Sequence, residues 1–217
     1  MRSIRTLGIT LLALCALGAL MASTAAAKEK PVLKLSTKGK GLLSAGAEVK
    51  ASSSNLVFVT SAGDLECTEN VLNGTLTNNS AKKDKASVTS ESSTGKEAEG
   101  DCKTSTLLGR TKIKAGDFPW TQELETNGKG STKGSKKVLF ESVFPEAGNI
   151  VCIFEASKVA DTFKPGAAGS PTAVTLTVTN QVFKRSKKGS NAACPTEGKL
   201  SGSFELTSSG ETIDSEL

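Results

Sequence analysis

The chain contains no histidine and no tyrosine. Without histidine there can be no Ser-His-Asp triad, no Cys-His pair and no imidazole ligand for a metal. Without tyrosine a further general acid is missing. Aromatic residues are scarce, with eight phenylalanines and one tryptophan in 217 residues. The core must therefore be largely aliphatic. No C-x-x-C pair occurs, so zinc would need four scattered thiolates. No G-x-x-x-x-G-K-[ST] loop follows a strand and opens a helix, which excludes the usual phosphate cradle. Beyond the N-terminus there is no apolar run long enough to span a bilayer. No segment beyond it shows a sustained 3.6-residue apolar period, so no helix is expected there. These absences leave no cofactor and no metal to expect.

What is present begins with the N-terminus. Arg2 and Arg5 precede an uncharged apolar run at residues 6–22, and Ala25 and Ala27 follow at the spacing of an A-x-A cleavage site. The pattern predicts a signal peptide helix over residues 1–27, cut after Ala27, and a mature chain of 28–217. Cys15 follows Leu14 inside the apolar run, which does not fit a lipid-attachment site. Removing Arg2 and Arg5 lowers the basic count from 27 to 25, against 22 acidic residues. That excess is too small for an ordinary nucleic-acid footprint.

The mature chain reads as strand nearly throughout. In AVTLTVTNQV, residues 173–182, Val174, Leu176, Val178 and Val182 share one face by strict alternation, and Thr175, Thr177 and Thr179 share the other. KLSGSFELT places Leu200, Phe204 and Leu206 together in the same way. NLVFVT at 55–60 and IVCIF at 150–154 are continuously apolar, which predicts strands covered on both faces. Further strands are expected at 32–36, 85–92, 110–115, 119–126 and 137–143. Turn signals about every ten residues predict an antiparallel β-sandwich or a barrel-like Greek-key arrangement, stapled by disulfides. Residues 28–217 form a single domain on this reading, with two halves at about 31–125 and 138–217. The Lys/Gly/Ser-rich stretch 126–137 reads as the loop that joins them.

Four cysteines remain after cleavage: Cys67, Cys102, Cys152 and Cys194. An even number in an exported chain predicts two disulfides, with three possible pairings. The sequential one, Cys67 with Cys102 and Cys152 with Cys194, is preferred because it staples each half separately. The rival joins Cys67 to Cys152, since GDLEC and GNIVC are alike and could lie side by side. The phrases around the cysteines also repeat L-x-G-x-[L/F], as Leu72-Gly74-Leu76 and as Leu200-Gly202-Phe204. An inward glycine of this kind marks a bulge or a close backbone approach, and the expectation here is one that makes room for a disulfide or for Trp120.

Gly63-Asp64-Leu65-Glu66-Cys67, with the ending from Cys194 and Pro195 through Lys199, Leu200, Gly202 and Phe204 to Thr207, resembles a group of secreted actinobacterial proteins. That group shares a signal peptide, a G-x-[LIV]-x-C phrase and a C-P-x-x-x-K-L-x-G-x-F-x-L-T ending. The resemblance implies compartment and fold and no activity.

Candidate chemistry is thin. Asp64 with Glu66, and Glu97 with Glu99, are the carboxylate pairs a glycosidase could use. On strands they would ordinarily face water. Trp120, in DFPWTQEL, could stack on a sugar ring if exposed, or fill the core if buried. The Thr175-Thr177-Thr179 ladder reads as the outer face of an ordinary strand. The expectation is thus an exported, non-catalytic β module, secreted or at the cell surface, that binds a cell-envelope polymer or an extracellular protein. The alternatives are a carboxylate-dependent polysaccharide hydrolase and an inhibitor-like domain.

Overall fold

The computed structural model describes residues 33–37, 41–79, 83–94, 101–105 and 109–217. The expected signal peptide, residues 1–27, and the pair Glu97 and Glu99 lie outside them. Alternation of inward apolar and outward polar side chains shapes the chain into strands. They are β1 Lys34–Thr37, β2 Gly41–Leu42, β3 Glu48–Ser53, β4 Leu56–Thr60, β5 Gly63–Cys67 and β6 Glu69–Asn78. Next come β7 Lys83–Thr94, β8 Asp101–Thr104, β9 Arg110–Gly116, β10 Trp120–Glu125, β11 Lys129–Gly134 and β12 Val138–Phe144. The last are β13 Ile150–Ala156, β14 Val159–Thr162, β15 Thr172–Ala173, β16 Thr175–Arg185, β17 Glu197–Ser208 and β18 Glu211–Glu216.

The pairing closes on itself, and every pair of strands is antiparallel. One ring runs β3, β6, β7, β10, β11, β14, β16, β17 and back to β3. A second runs β4, β5, β8, β9, β12, β13, β16, β17 and back to β4. The rings share one order because β3 and β4 are a single path bent in its middle. So are β5 and β6, β9 and β10, β11 and β12, and β13 and β14, while β7 and β8 take equivalent places in the two rings. β16 and β17 belong to both rings. The result is one eight-path barrel whose paths bend near mid-height.

The bends have local causes. Asn55 separates β3 from β4, and its Oδ1 accepts the backbone N–H of Ser203 at 3.0 Å. Asp117, at φ 58, begins the break between β9 and β10. In β16 a register shift falls between Val178 and Gln181, where Asn180 takes φ 48. The N–H of Asn180 is satisfied by Ser201 Oγ at 2.9 Å.

A small sheet closes one end. β1 pairs with β18 and β2, and β15 pairs with β18. Leu33 and Ile213 of this cap are fully buried. Asn79, just past β6, ties the cap to the rim. Its Oδ1 accepts Leu35 N–H at 2.8 Å, and its Nδ2 donates to Leu35 O and Leu43 O at 2.8 and 2.6 Å. The half of the barrel beneath this sheet is here called the cap half.

The opposite half contains both crosslinks and is called the stapled half. Cys67 is bonded to Cys102 and Cys152 to Cys194, the sequential pairing. Phe58 sits at the centre of its packing, with ring centroids 4.8 Å from Phe140, 4.9 Å from Phe154 and 6.2 Å from Phe183.

The all-β, antiparallel, disulfide-stapled expectation holds, and the barrel is the form it takes. Successive paths are neighbours, so the connections are a meander. Val32–Leu217 is one compact unit. Its natural division lies along the barrel axis and not at residues 126–137. That stretch contains β11, a full member of the barrel between β10 and β14. Its lysines and glycines disguise a strand whose inward positions are Gly130 and Thr132. NLVFVT is not covered on both faces, because a closed barrel has one inside. Phe58 is buried while Val59 is 45% exposed. Val182 departs from strict alternation for a related reason. The bulge at Asn180 shifts the parity, so Phe183 is buried and Val182 is exposed.

Candidate functional site in the barrel interior

An eight-stranded barrel is just wide enough to be filled by its own side chains, or to hold one small ligand when they are small. The two halves differ in which of these they do. Inward positions of the cap half include Ala51 on β3, Gly74 on β6, Ala86 on β7, and Gly130 and Thr132 on β11. Gly74 is required there, since a Cβ would stand 2.5 Å from the carbonyl oxygen of Ser87 on the next strand. This is the close backbone approach expected of an inward glycine, at a β6–β7 register shift. With so little side chain, the interior keeps a cavity of about 140 Å³. Its wall runs from Phe58, Phe140 and Phe183 on the stapled side to Leu35 and Ile213 of the cap.

The wall is mostly apolar; beside Asn73, Asp84 and Lys85, its polar side chains form one hydrogen-bonded cluster. β10, β11 and β14 are neighbours, and their inward parity brings Gln122, Thr132 and Asp161 together. Gln122 Nε2 donates to Asp161 Oδ2 at 3.1 Å. Thr132 Oγ1 donates to Gln122 Oε1. Asp161 is 5% exposed, and its Oδ1 has no hydrogen-bond partner within the protein. Burial pushes its carboxyl up to about 6, against the opposing pull of the Gln122 hydrogen bond and the nearby Lys158 charge. Gly130 makes this placement possible. A Cβ on it would fall 1.8 Å from Asp161 Oδ1, so the carboxylate lies over a residue with no side chain. Asp84 on β7 is also buried and lines the cavity.

Trp120 is 6% exposed and faces inward. Its Nε1 donates to Gly116 O at 3.0 Å, and its ring lies 4.6 Å from that of Phe118. It lines the cavity and is not displayed for stacking on an external sugar. Cys67, Cys102, Cys152 and Cys194 are all buried and disulfide-bonded. Glu66 projects outward from β5 while Leu65 and Cys67 turn in. Thr175 and Thr179 are exposed, and the bulge interrupts their ladder. Among the described residues, no group of three or more His, Cys, Asp or Glu could hold a metal.

A second crevice, of about 280 Å³, lies at the far end of the stapled half beside Phe144, Cys194 and Pro195. Its single hydroxyl, on Thr60, already donates to Gly63 O at 2.7 Å. The interior site is therefore the one with unused bonding capacity.

Sequence reasoning missed Asp161, Gln122 and Thr132. The signal was parity: in Val159-Ala160-Asp161-Thr162 the burial alternates, with Val159 and Asp161 inside. A carboxylate on the apolar parity of a four-residue strand would have marked the site.

Comparison with protein-family models, curated proteins and solved structures finds no match for this chain.

Proposed function

We propose that the protein is exported and acts as a non-catalytic binding module, with the inside of the barrel as its binding site and a small, mostly apolar molecule as its ligand. The observation that carries this reading is the apolar cavity in the cap half. An apolar protein cavity of about this size, roughly 150 Å³, is known to accept a benzene-sized guest. Binding sites are typically apolar pockets with a few convergent polar groups, and the Gln122–Thr132–Asp161 cluster has that character. Export is supported by the tripartite N-terminus and by two disulfides, which persist in oxidising compartments. N-terminal sequencing of secreted protein should begin at Lys28.

Binding of a cell-envelope polymer at the surface draws less support. The lysines of residues 126–137 would have to provide it, and two of them are engaged. Lys133 lies 3.9 Å from Glu123, and Lys137 pairs with Glu155. Hydrolysis of a polysaccharide needs two carboxylates across an open cleft, whereas Asp84 and Asp161 lie inside the barrel.

The test is a melting experiment on the mature chain with toluene. A ligand that binds only the folded state raises the melting temperature in a concentration-dependent way. Trp120 fluorescence should change over the same concentration range, because its indole is part of the wall. An unchanged melting temperature and spectrum at saturating toluene would overturn the interior reading.

A further inference from the structure

We infer that the interior site is built for a molecule with a hydrogen-bond-donating head, a hydroxyl or an amine on a small apolar body, and that Asp161 Oδ1 is the atom that receives it. The inference rests on the proposed interior site and adds the ligand's chemical class.

Four observations meet at this atom. Asp161 lines the cavity. Its Oδ2 is already committed to Gln122 at 3.1 Å. Its Oδ1 is fully buried and has no partner. Gln122 is in turn held by Thr132, which fixes the amide so that its N–H faces the carboxylate. The carboxylate is thus oriented on one side and unsatisfied on the other. A buried acceptor left without a donor costs about 1–3 kcal/mol, more when it is charged. A ligand donor at Oδ1 would recover that cost, and a charge-assisted bond of this kind is stronger than a neutral one. A purely apolar guest would recover none of it.

Gly130 strengthens the assignment. An alanine in its place would collide with Oδ1. The sequence therefore keeps a residue with no side chain under the carboxylate, in the middle of a strand where glycine otherwise weakens the ladder. Asp84 is the other buried carboxylate of the wall, whereas Glu123 on β10 points outward, within 3.3 Å of Lys85 and 3.9 Å of Lys133.

Toluene, benzyl alcohol and benzylamine share one ring and differ in the head, which makes them the probes. Affinities are measured by calorimetry on the mature, disulfide-bonded wild type and on Asp161→Asn. The alcohol or the amine should bind the wild type roughly tenfold or more tighter than toluene. In Asp161→Asn the ratio of alcohol or amine affinity to toluene affinity should shrink. The alcohol and amine arms separate a neutral donor from a cation. Amide chemical-shift changes in the wild type, which need no variant, should centre on Gln122, Thr132 and Asp161. Equal binding of all three probes would overturn the role of Asp161 and leave the interior site standing. A preference that survives intact in Asp161→Asn would do the same. Failure of all three to bind would remove the interior site itself.

Discussion

The two halves of the barrel share strand order, closure and two strands, yet they solve opposite problems. The stapled half is packed around Phe58, Phe140, Phe154 and Phe183 and crossed by both disulfides. The cap half has no disulfide among its described residues. Instead it has small inward residues, a buried carboxylate and a cavity. A chain with so few aromatics has concentrated most of them at one end. What this teaches is a division of labour within one barrel: a site that leaves bonding capacity unused is supported by a neighbouring region that leaves little unused.

The comparison can be broken most severely by reduction. Each disulfide restricts the unfolded chain by about 4 kcal/mol on the chain-entropy account, for separations of 35 and 42 residues. Reduced protein should unfold at much lower urea than oxidised protein. If the midpoints coincide, the stapled half does not deserve its name.

Phe58→Ala comes next. It deletes the ring that touches three others and should cost about 3–5 kcal/mol in urea unfolding. A loss below about 1 kcal/mol would mean that the aromatic packing is not what supports the barrel.

Asp161 sharpens the contrast from the other side. Its folded carboxyl titrates at about 6, above the value of 3.8 expected for the free side chain. The folded state therefore holds this proton more tightly than the unfolded chain does. Its contribution to stability is fully present below about pH 4 and is lost as pH rises through about 6. The loss is on the order of 3 kcal/mol. Comparing wild type with Asp161→Asn isolates it: the difference in unfolding free energy should change across that window and be flat above it. A constant difference would show that the carboxyl is not desolvated.

The smallest effect belongs to the outer face. Lys85→Ala removes one cation near Glu123, leaving Lys133 3.9 Å away. An exposed pair of this kind contributes about 0–1 kcal/mol, so the midpoint should scarcely move, and less so at high salt.

The stapled half was more legible in the sequence than the cap half. GDLEC and IVCIF carry bulky residues and cysteines at fixed parity, and bulk announces burial. The cap half announces itself by small and polar residues. KGSTKG reads as a loop because nothing in it is large, yet it is a barrel strand. The bulge that turned Val182 outward depends on Asn180 adopting a left-handed backbone, which alternation alone cannot register. Closure itself depends on β17 meeting β3 and β4 across more than a hundred residues, a pairing that no local pattern encodes.

Asn79 gives the cap half a chemical age. Its amide joins three backbone groups of the cap, donating to two carbonyls and accepting from one N–H. Hydrolysis of that amide to a carboxylate would turn both donors into acceptors. The one new oxygen, in the place of Nδ2, would then face both the Leu35 and the Leu43 carbonyls, like against like. One slow reaction at one side chain would thus unfasten the sheet that closes the cavity, while the crosslinked end stayed covalently intact. A chain carrying that change would be a barrel with its lid unlatched, about one dalton heavier and one negative charge richer.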